Sequence, residues 1–170
     1  LHVDDDPEFA RMTADLLEER HERLCVRTEP DPETVPDEER LADVDCILSD
    51  YDMPRMDGLE LLQAVRKMNV DCPFILYTGK GSEEIASEAI SDGVTDYLQK
   101  ASGRDHYVLL GNRIRNAVSE YRKHRALRES EERYRALVEG SPNAVCIVKR
   151  GEIVYANRRF VDLLDADDRS

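Results

Sequence analysis

The sequence predicts an α/β fold: a five-stranded parallel sheet, doubly wound, with helices on both faces and right-handed crossovers. Two observations predict it. Short apolar runs alternate with stretches of helical period, five times in succession. One of those runs, VDCILSD, is almost continuously apolar and ends in aspartate, as a parallel strand covered on both faces requires.

The elements follow in order. LHV is the end of a first strand. Asp6 can cap a helix with Pro7 at its first position, and Phe9, Thr13, Leu16 and Leu17 then share a face. RLCVRT reads as the second strand. In PDPETVPDEERLAD, Pro32 and Pro36 leave room only for a short helix starting near Pro36. VDCILSD is the third strand, and Asp57 caps the next helix, whose stripe is Leu61, Leu62, Val65 and Met68. CPFILYTG is the fourth strand. Ser82 caps the helix after it, two glutamates occupy its first turn and Gly93 ends it. VTDYLQK is the fifth strand, and a long helical pattern begins near Arg104.

Composition narrows the function classes. The 170 residues are 41% hydrophobic, enough for a packed core. No apolar run approaches the length of a membrane span, and no signal-peptide pattern opens the chain. With no initial Met, the chain reads as a soluble fragment whose first strand is clipped. The formal charge is −13 and unevenly placed: residues 1–103 carry 26 acids against 10 bases. So acidic a segment does not attract nucleic acid or an anionic membrane. Many acids with few lysines (Lys67, Lys80, Lys100, Lys123 and Lys149) resemble the composition of haloarchaeal proteins, where concentrated salt screens self-repulsion. Cys25, Cys46, Cys72 and Cys146 are far apart without metal-ligand spacing and read as buried free thiols in a reducing cytoplasm.

In a parallel sheet the functional site lies beyond the carboxyl ends of the strands. The first strand delivers Asp4 and Asp5, the third Asp50 followed by Asp52, the fourth Thr78 and the fifth Lys100. Two carboxylates ~4 Å apart repel by ~4 kcal/mol at an effective dielectric of about 20. Acids gathered around one lysine therefore call for a hard dication. Oxygen-only donors suit Mg²⁺ better than zinc. A carboxylate beside such an ion, a hydroxyl and a lysine is a site for phosphoryl transfer to Asp50.

The blocks VDDDP, SDYDMPRMDG, ILYTG and DYLQK, in that order over roughly residues 1–120, resemble the receiver domain of two-component response regulators, a flavodoxin-like fold. The resemblance implies that Asp50 is the phospho-acceptor, that Asp5 binds Mg²⁺ directly and Asp4 through water, and that Asp52 offers a backbone carbonyl. It assigns phosphoryl binding to Thr78 and Lys100, and a rotamer switch to Tyr97. It also implies a histidine kinase or phosphotransfer protein as donor. A receiver of this kind catalyses its own phosphorylation and dephosphorylation without being a conventional turnover enzyme. Asp6 is left as the helix cap.

Two positions depart from the family pattern. Ala101 follows the lysine where proline is usual, so a trans peptide is expected there. Gly79 follows Thr78 where alanine is common, which loosens the loop. Asp52 and Lys80, each two residues past a site residue, can pair across the mouth and gate a hydrolytic water; the alternative is that both are solvated. His2, His21, His106 and His124 lack a kinase phospho-acceptor context and read as structural. Asp50-Tyr51-Asp52 is also similar to the D-x-D of haloacid-dehalogenase-type phosphatases, but that motif should follow the first strand. A phosphorylation-independent interaction module is the remaining alternative.

The resemblance divides the chain into a receiver at 1–118, a helical linker at 119–131 and the start of a PAS sensor domain at 132–170. From Arg104 the helical pattern runs on to Gly140, with Leu110, Ile114, Ala117, Tyr121, Leu127, Tyr134 and Val138 at a rough 3.5 spacing that breaks near His124. It is either a lone amphipathic helix or a coil that makes a homodimer. E-x-x-Y-R-x-L-V, the S-P-x-A turn, a strand–Gly–strand hairpin and Y-A-N before a helix resemble a PAS N-terminus. A C-terminal remainder could be a histidine kinase or a transcription activator.

Overall fold

The computed structural model describes residues 1–79, 89–101 and 103–167, with side chains through residue 164. Two compact units divide it, Leu1–Tyr121 and Arg122–Ser170. In the first, β1 (His2–Val3), β2 (Thr28–Glu29), β3 (Ile47–Ser49), β4 (Phe74–Thr78) and β5 (Asp96–Gln99) form one parallel sheet in the order β2-β1-β3-β4-β5. The order reverses at β1, so the ends of β1 and β3 lie side by side at a topological switch point.

Period-2 alternation splits the strands between two cores. Ile47, Phe74 and Leu76 pack on one face with Leu61, Leu62 and Val65 of α3 (Gly58–Lys67). Leu48, Ile75 and Tyr77 pack on the other with Leu17 of α1 (Pro7–Arg20) and with Leu110 and Ile114. The last two belong to a 36-residue helix, Arg104–Glu139, called the long helix below. Both faces of the sheet are therefore covered, which is why its central strands tolerate unbroken apolar sequence.

Helix starts follow their caps. Asp6 accepts from the backbone N–H groups of Glu8 and Phe9, with Pro7 at the first position. Asp57 and Glu60 close a capping box on α3. The buried face of α1 is Ala10, Thr13, Ala14 and Leu17, with Phe9 and Leu16 only half-buried. Gly93 takes φ 89° just after helical residues 89–91, the left-handed turn that ends a helix. The proposed Ser82 cap lies outside the described residues.

Two expectations need correction. The second strand is confined to Thr28–Glu29: it is an edge strand, entered through the Arg27 carbonyl, which accepts from the His2 N–H at 2.7 Å, and Leu24–Val26 run outside the ladder. Cys25, on that unpaired stretch, is exposed, and Cys146 is half-buried; only Cys46 and Cys72 are buried, and all four are free thiols. The short helix expected near Pro36 is there as α2 (Glu38–Leu41), capped by Asp37, and a 3-10 turn at Pro32–Thr34 capped by Asp31 precedes it.

In the second unit β6 (Cys146–Lys149) and β7 (Glu152–Ala156) form an antiparallel hairpin. Arg150 and Gly151 turn it with φ 54° and 88°. Asn157 is fully buried. Its side chain accepts from the N–H of Val145 and Phe160 and donates to the carbonyls of Val138 and Asn143. It thereby caps the helix Arg158–Asp167 and ties the hairpin to the last turn of the long helix.

Candidate functional site at the carboxyl edge of the sheet

Four strands deliver the site. Asp4 follows β1, Asp50 follows β3, Thr78 closes β4 and Lys100 follows β5. Adjacent strands are held in register by the ladder: the N–H of Asp50 donates to the Val3 carbonyl at 2.8 Å, and the N–H of Lys100 to the Thr78 carbonyl at 2.7 Å. Lys100 Nζ donates to Asp4 Oδ2 at 2.7 Å and to Asp50 Oδ2 at 2.9 Å, so one ammonium joins acids from two other strands. One carboxylate oxygen each from Asp4, Asp5 and Asp50 lies within 4.8 Å of the others. Asp4 is fully buried and Asp50 nearly so, whereas Asp5 faces solvent.

The electrostatics are those of an anion under-supplied with positive charge. Burial opposes the charge on Lys100, but the hydrogen bonds it donates to Asp4 and Asp50 outweigh that and raise the pKa above the ordinary lysine value. Burial pushes the Asp4 carboxyl up even though Lys100 works against it. Three carboxylates with one ammonium leave a net negative site. Its donors are all oxygen, and one side is open to solvent through Asp5. Such a set is compatible with a hard dication such as Mg²⁺.

The remaining expected residues are placed as follows. Thr78 is buried at the end of β4. Tyr97 lies half-buried on β5 against the core that holds Leu76, Ala89 and Val94. Asp52 is exposed in the turn after Asp50. Lys80, the other half of the proposed gating pair, lies outside the described residues. Among the described residues no peptide is cis, so Ala101 carries the trans bond expected of it. His2 and His21 are buried, His106 is half-buried and His124 exposed. An acid pair from β1 precedes Asp50-Tyr51-Asp52 in the sheet, which is not the phosphatase arrangement.

Two residues at the site escaped sequence reasoning. Gly58, the first residue of α3, lies against the backbone of Asp50 and Tyr51, and its N–H donates to the Tyr51 carbonyl at 2.9 Å. Its only signal in the sequence is its place beside a cap. Phe9, assigned to the core face of α1, has Lys100 Nζ 4.5 Å from its ring centroid. Nothing local in the sequence relates residues 9 and 100.

The family model described as "Response regulator receiver domain" matches residues 1–110, and one described as "PAS domain" matches residues 132–170. Among curated relatives, the C4-dicarboxylate transport transcriptional regulatory protein DctD of Rhizobium meliloti is 35% identical over 96 residues, 56% of this chain and 20% of its own length. The nitrogen assimilation regulatory protein NtrX of Azorhizobium caulinodans is 30% identical over 131 residues, 76% of this chain and 28% of its own. The chain thus spans a fifth to just over a quarter of these relatives. The receiver domain of Francisella response regulator 1452 superposes with a TM-score of 0.61 at 27% identity, covering 71% of this chain and 95% of that one. Vibrio cholerae chemotaxis protein CheY4 gives 0.58 at 27%, covering 66% and 94%.

Proposed function

The chain belongs to the response regulator receiver domain family, and on that premise we propose that Asp50 accepts a phosphoryl group in a Mg²⁺-dependent reaction. A partial PAS domain follows the receiver. The observation that supports the reaction best is Lys100 bridging Asp4 and Asp50 from a third strand. Asp4, Asp5 and Asp50, with the Asp52 carbonyl, are the residues that would hold Mg²⁺. When bound, the ion offsets negative charge on the phosphoryl oxygens.

The chain's own groups do the rest. A carboxylate oxygen of Asp50 forms the bond to phosphorus as the donor's P–N or P–O bond breaks. The bonding pair leaves with the donor, the imidazole of a phosphohistidine or acetate from acetyl phosphate. Lys100, held just past the end of β5, directs its charge at a phosphoryl oxygen, and the Thr78 hydroxyl donates a hydrogen bond to another. Tyr97 changes rotamer with phosphorylation and reports it on the β5 face. A histidine kinase or phosphotransfer protein supplies the phosphoryl group, and the long helix carries the state of the site toward the PAS segment, with a homodimer through that helix as its assembled form.

The test is intact-mass measurement after incubation with acetyl phosphate. Wild type should gain one phosphoryl group with Mg²⁺ and none with chelator, and Asp50→Asn should gain none. Equal labelling of wild type and Asp50→Asn would reject the assignment.

A further inference from the structure

An ammonium has three N–H donors. On Lys100 two of them go to carboxylates, Asp4 Oδ2 and Asp50 Oδ2. The Phe9 ring lies on a further side, with its centroid 4.5 Å from Nζ, well inside cation–π range. That ring is backed by other rings. Tyr77, fully buried, stacks on Phe9 at 6.0 Å with 27° between planes, and His2 meets Phe9 edge-on at 6.4 Å. Tyr77 is itself pinned by His106, stacked at 5.6 Å and hydrogen-bonded to its hydroxyl at 3.0 Å. Phe9 is half-buried, unlike Ala10, Thr13 and Leu17 beside it, so its place on α1 owes less to core packing than theirs does.

We infer that Phe9 is a positioning residue for Lys100: its ring holds the ammonium at the rim of the site and keeps water from that side. The chemistry of the two kinds of neighbour differs. A carboxylate that binds the ammonium also neutralises it, and so spends the charge a phosphoryl oxygen needs. The face of a benzene ring attracts the same cation through its quadrupole and leaves the full positive charge in place. When the phosphoryl group arrives on Asp50, the ammonium can exchange a carboxylate partner for a phosphoryl oxygen without leaving the ring. The inference rests on the proposed role of Lys100 for its consequence in catalysis, and on the observed contact alone for its geometry.

The test separates these. With ¹³C-labelled lysine, the chain's five lysines give five methylene signals next to nitrogen. The Lys100 signal, assigned by its loss in Lys100→Arg, should lie upfield from the Phe9 ring current. It should return to the ordinary position in Phe9→Leu and stay shifted in Phe9→Tyr and Phe9→Trp. A Lys100 signal that is unshifted in wild type, or unmoved in Phe9→Leu, overturns the inference. In labelling by Mg²⁺ and acetyl phosphate, Phe9→Leu should be about five-fold slower. Phe9→Tyr and Phe9→Trp should match wild type, and Phe9→Leu should add nothing to Lys100→Ala. Equal slowing by Leu, Tyr and Trp would make Phe9 a packing residue only and overturn the inference. A wild type that takes no phosphoryl group overturns the proposed function instead, while the lysine spectrum still decides whether the ring holds the ammonium.

Discussion

Gly58→Ala should damage both the stability and the chemistry of the receiver, although alanine is the better helix former. A Cβ on Gly58 would sit 2.7 Å from Leu76 Cδ2 and 3.2 Å from Tyr51 Cα, and closer still to the Asp50 carbonyl oxygen. Carbon–carbon contacts settle at about 3.5–4.0 Å, so the intrusion on Leu76 is about 1 Å. Leu76 is fully buried and the other two obstacles are backbone, so none swings away cheaply. Overpacking of this kind costs about 1–3 kcal/mol. Alanine's higher helix propensity returns at most about 1 kcal/mol. The net loss of up to about 2 kcal/mol should lower the melting temperature by as much as roughly 8 °C for a domain of this size. Relief of the clash moves the start of α3 or the Asp50–Tyr51 backbone, and a 1 Å misplacement of a reacting group costs up to about 100-fold in rate. Thermal unfolding and a mass-spectrometric time course with acetyl phosphate measure the two effects. Gly79→Ala is the stability control, since a Cβ there meets nothing within 4 Å. A Gly58→Ala protein that melts at or above wild type and labels at the wild-type rate would refute the reasoning.

Gly111→Ala makes a similar test on the long helix. The new Cβ would run into Nε2 and Cδ2 of the buried His21 ring and lie 3.0 Å from its Cε1, so the variant should lose about 1–2 kcal/mol despite its propensity gain, and less in a His21→Ala background. In the folded protein, iodoacetamide should modify the exposed Cys25 first and spare Cys46 and Cys72 until unfolding. Burial pushes the Cys46 thiol up to about 12 and raises Cys72 as well. Both thiols therefore favour the fold below the ordinary thiol value near about 8.5, a preference lost as pH rises from there. Urea unfolding should show less stability at about pH 10 than at about pH 8, with a smaller difference in Cys46→Ala. With 26 acids against 10 bases in residues 1–103, the melting temperature should climb with KCl toward molar concentrations, and a flat curve would count against halophilic adaptation.

The site was more legible in the sequence than the elements around it, and for a physical reason. A parallel sheet converts the last residue of each apolar run into a place on one edge. Finding Asp4, Asp50, Thr78 and Lys100 therefore required only that the runs be strands. Helix starts were equally readable where a cap side chain marks them, as Asp6 and Asp57 do. The edge strand was not, because RLCVRT has strand composition but only its end, from the Arg27 carbonyl on, has a neighbour to pair with. Cys25 is exposed for the same reason: burial is expected of it only as part of a strand, and its stretch is not one. Arg55 adopts φ 70° with no glycine to announce it, held by ion pairs to Asp31 at 2.8 Å and Glu33 at 3.0 Å across two loops. Contacts between distant positions, such as Phe9 with Lys100 or Gly111 with His21, leave no periodic trace at all.

The central claim is that Asp50 carries the phosphoryl group. Borohydride reduces an aspartyl phosphate to homoserine and leaves free carboxylates alone, so it marks the acceptor itself. After incubation with Mg²⁺ and acetyl phosphate, reduction and fragmentation mass spectrometry should find homoserine at position 50 and at none of the neighbouring acids Asp4, Asp5 or Asp52. Homoserine at one of those positions with aspartate intact at position 50 would contradict the account.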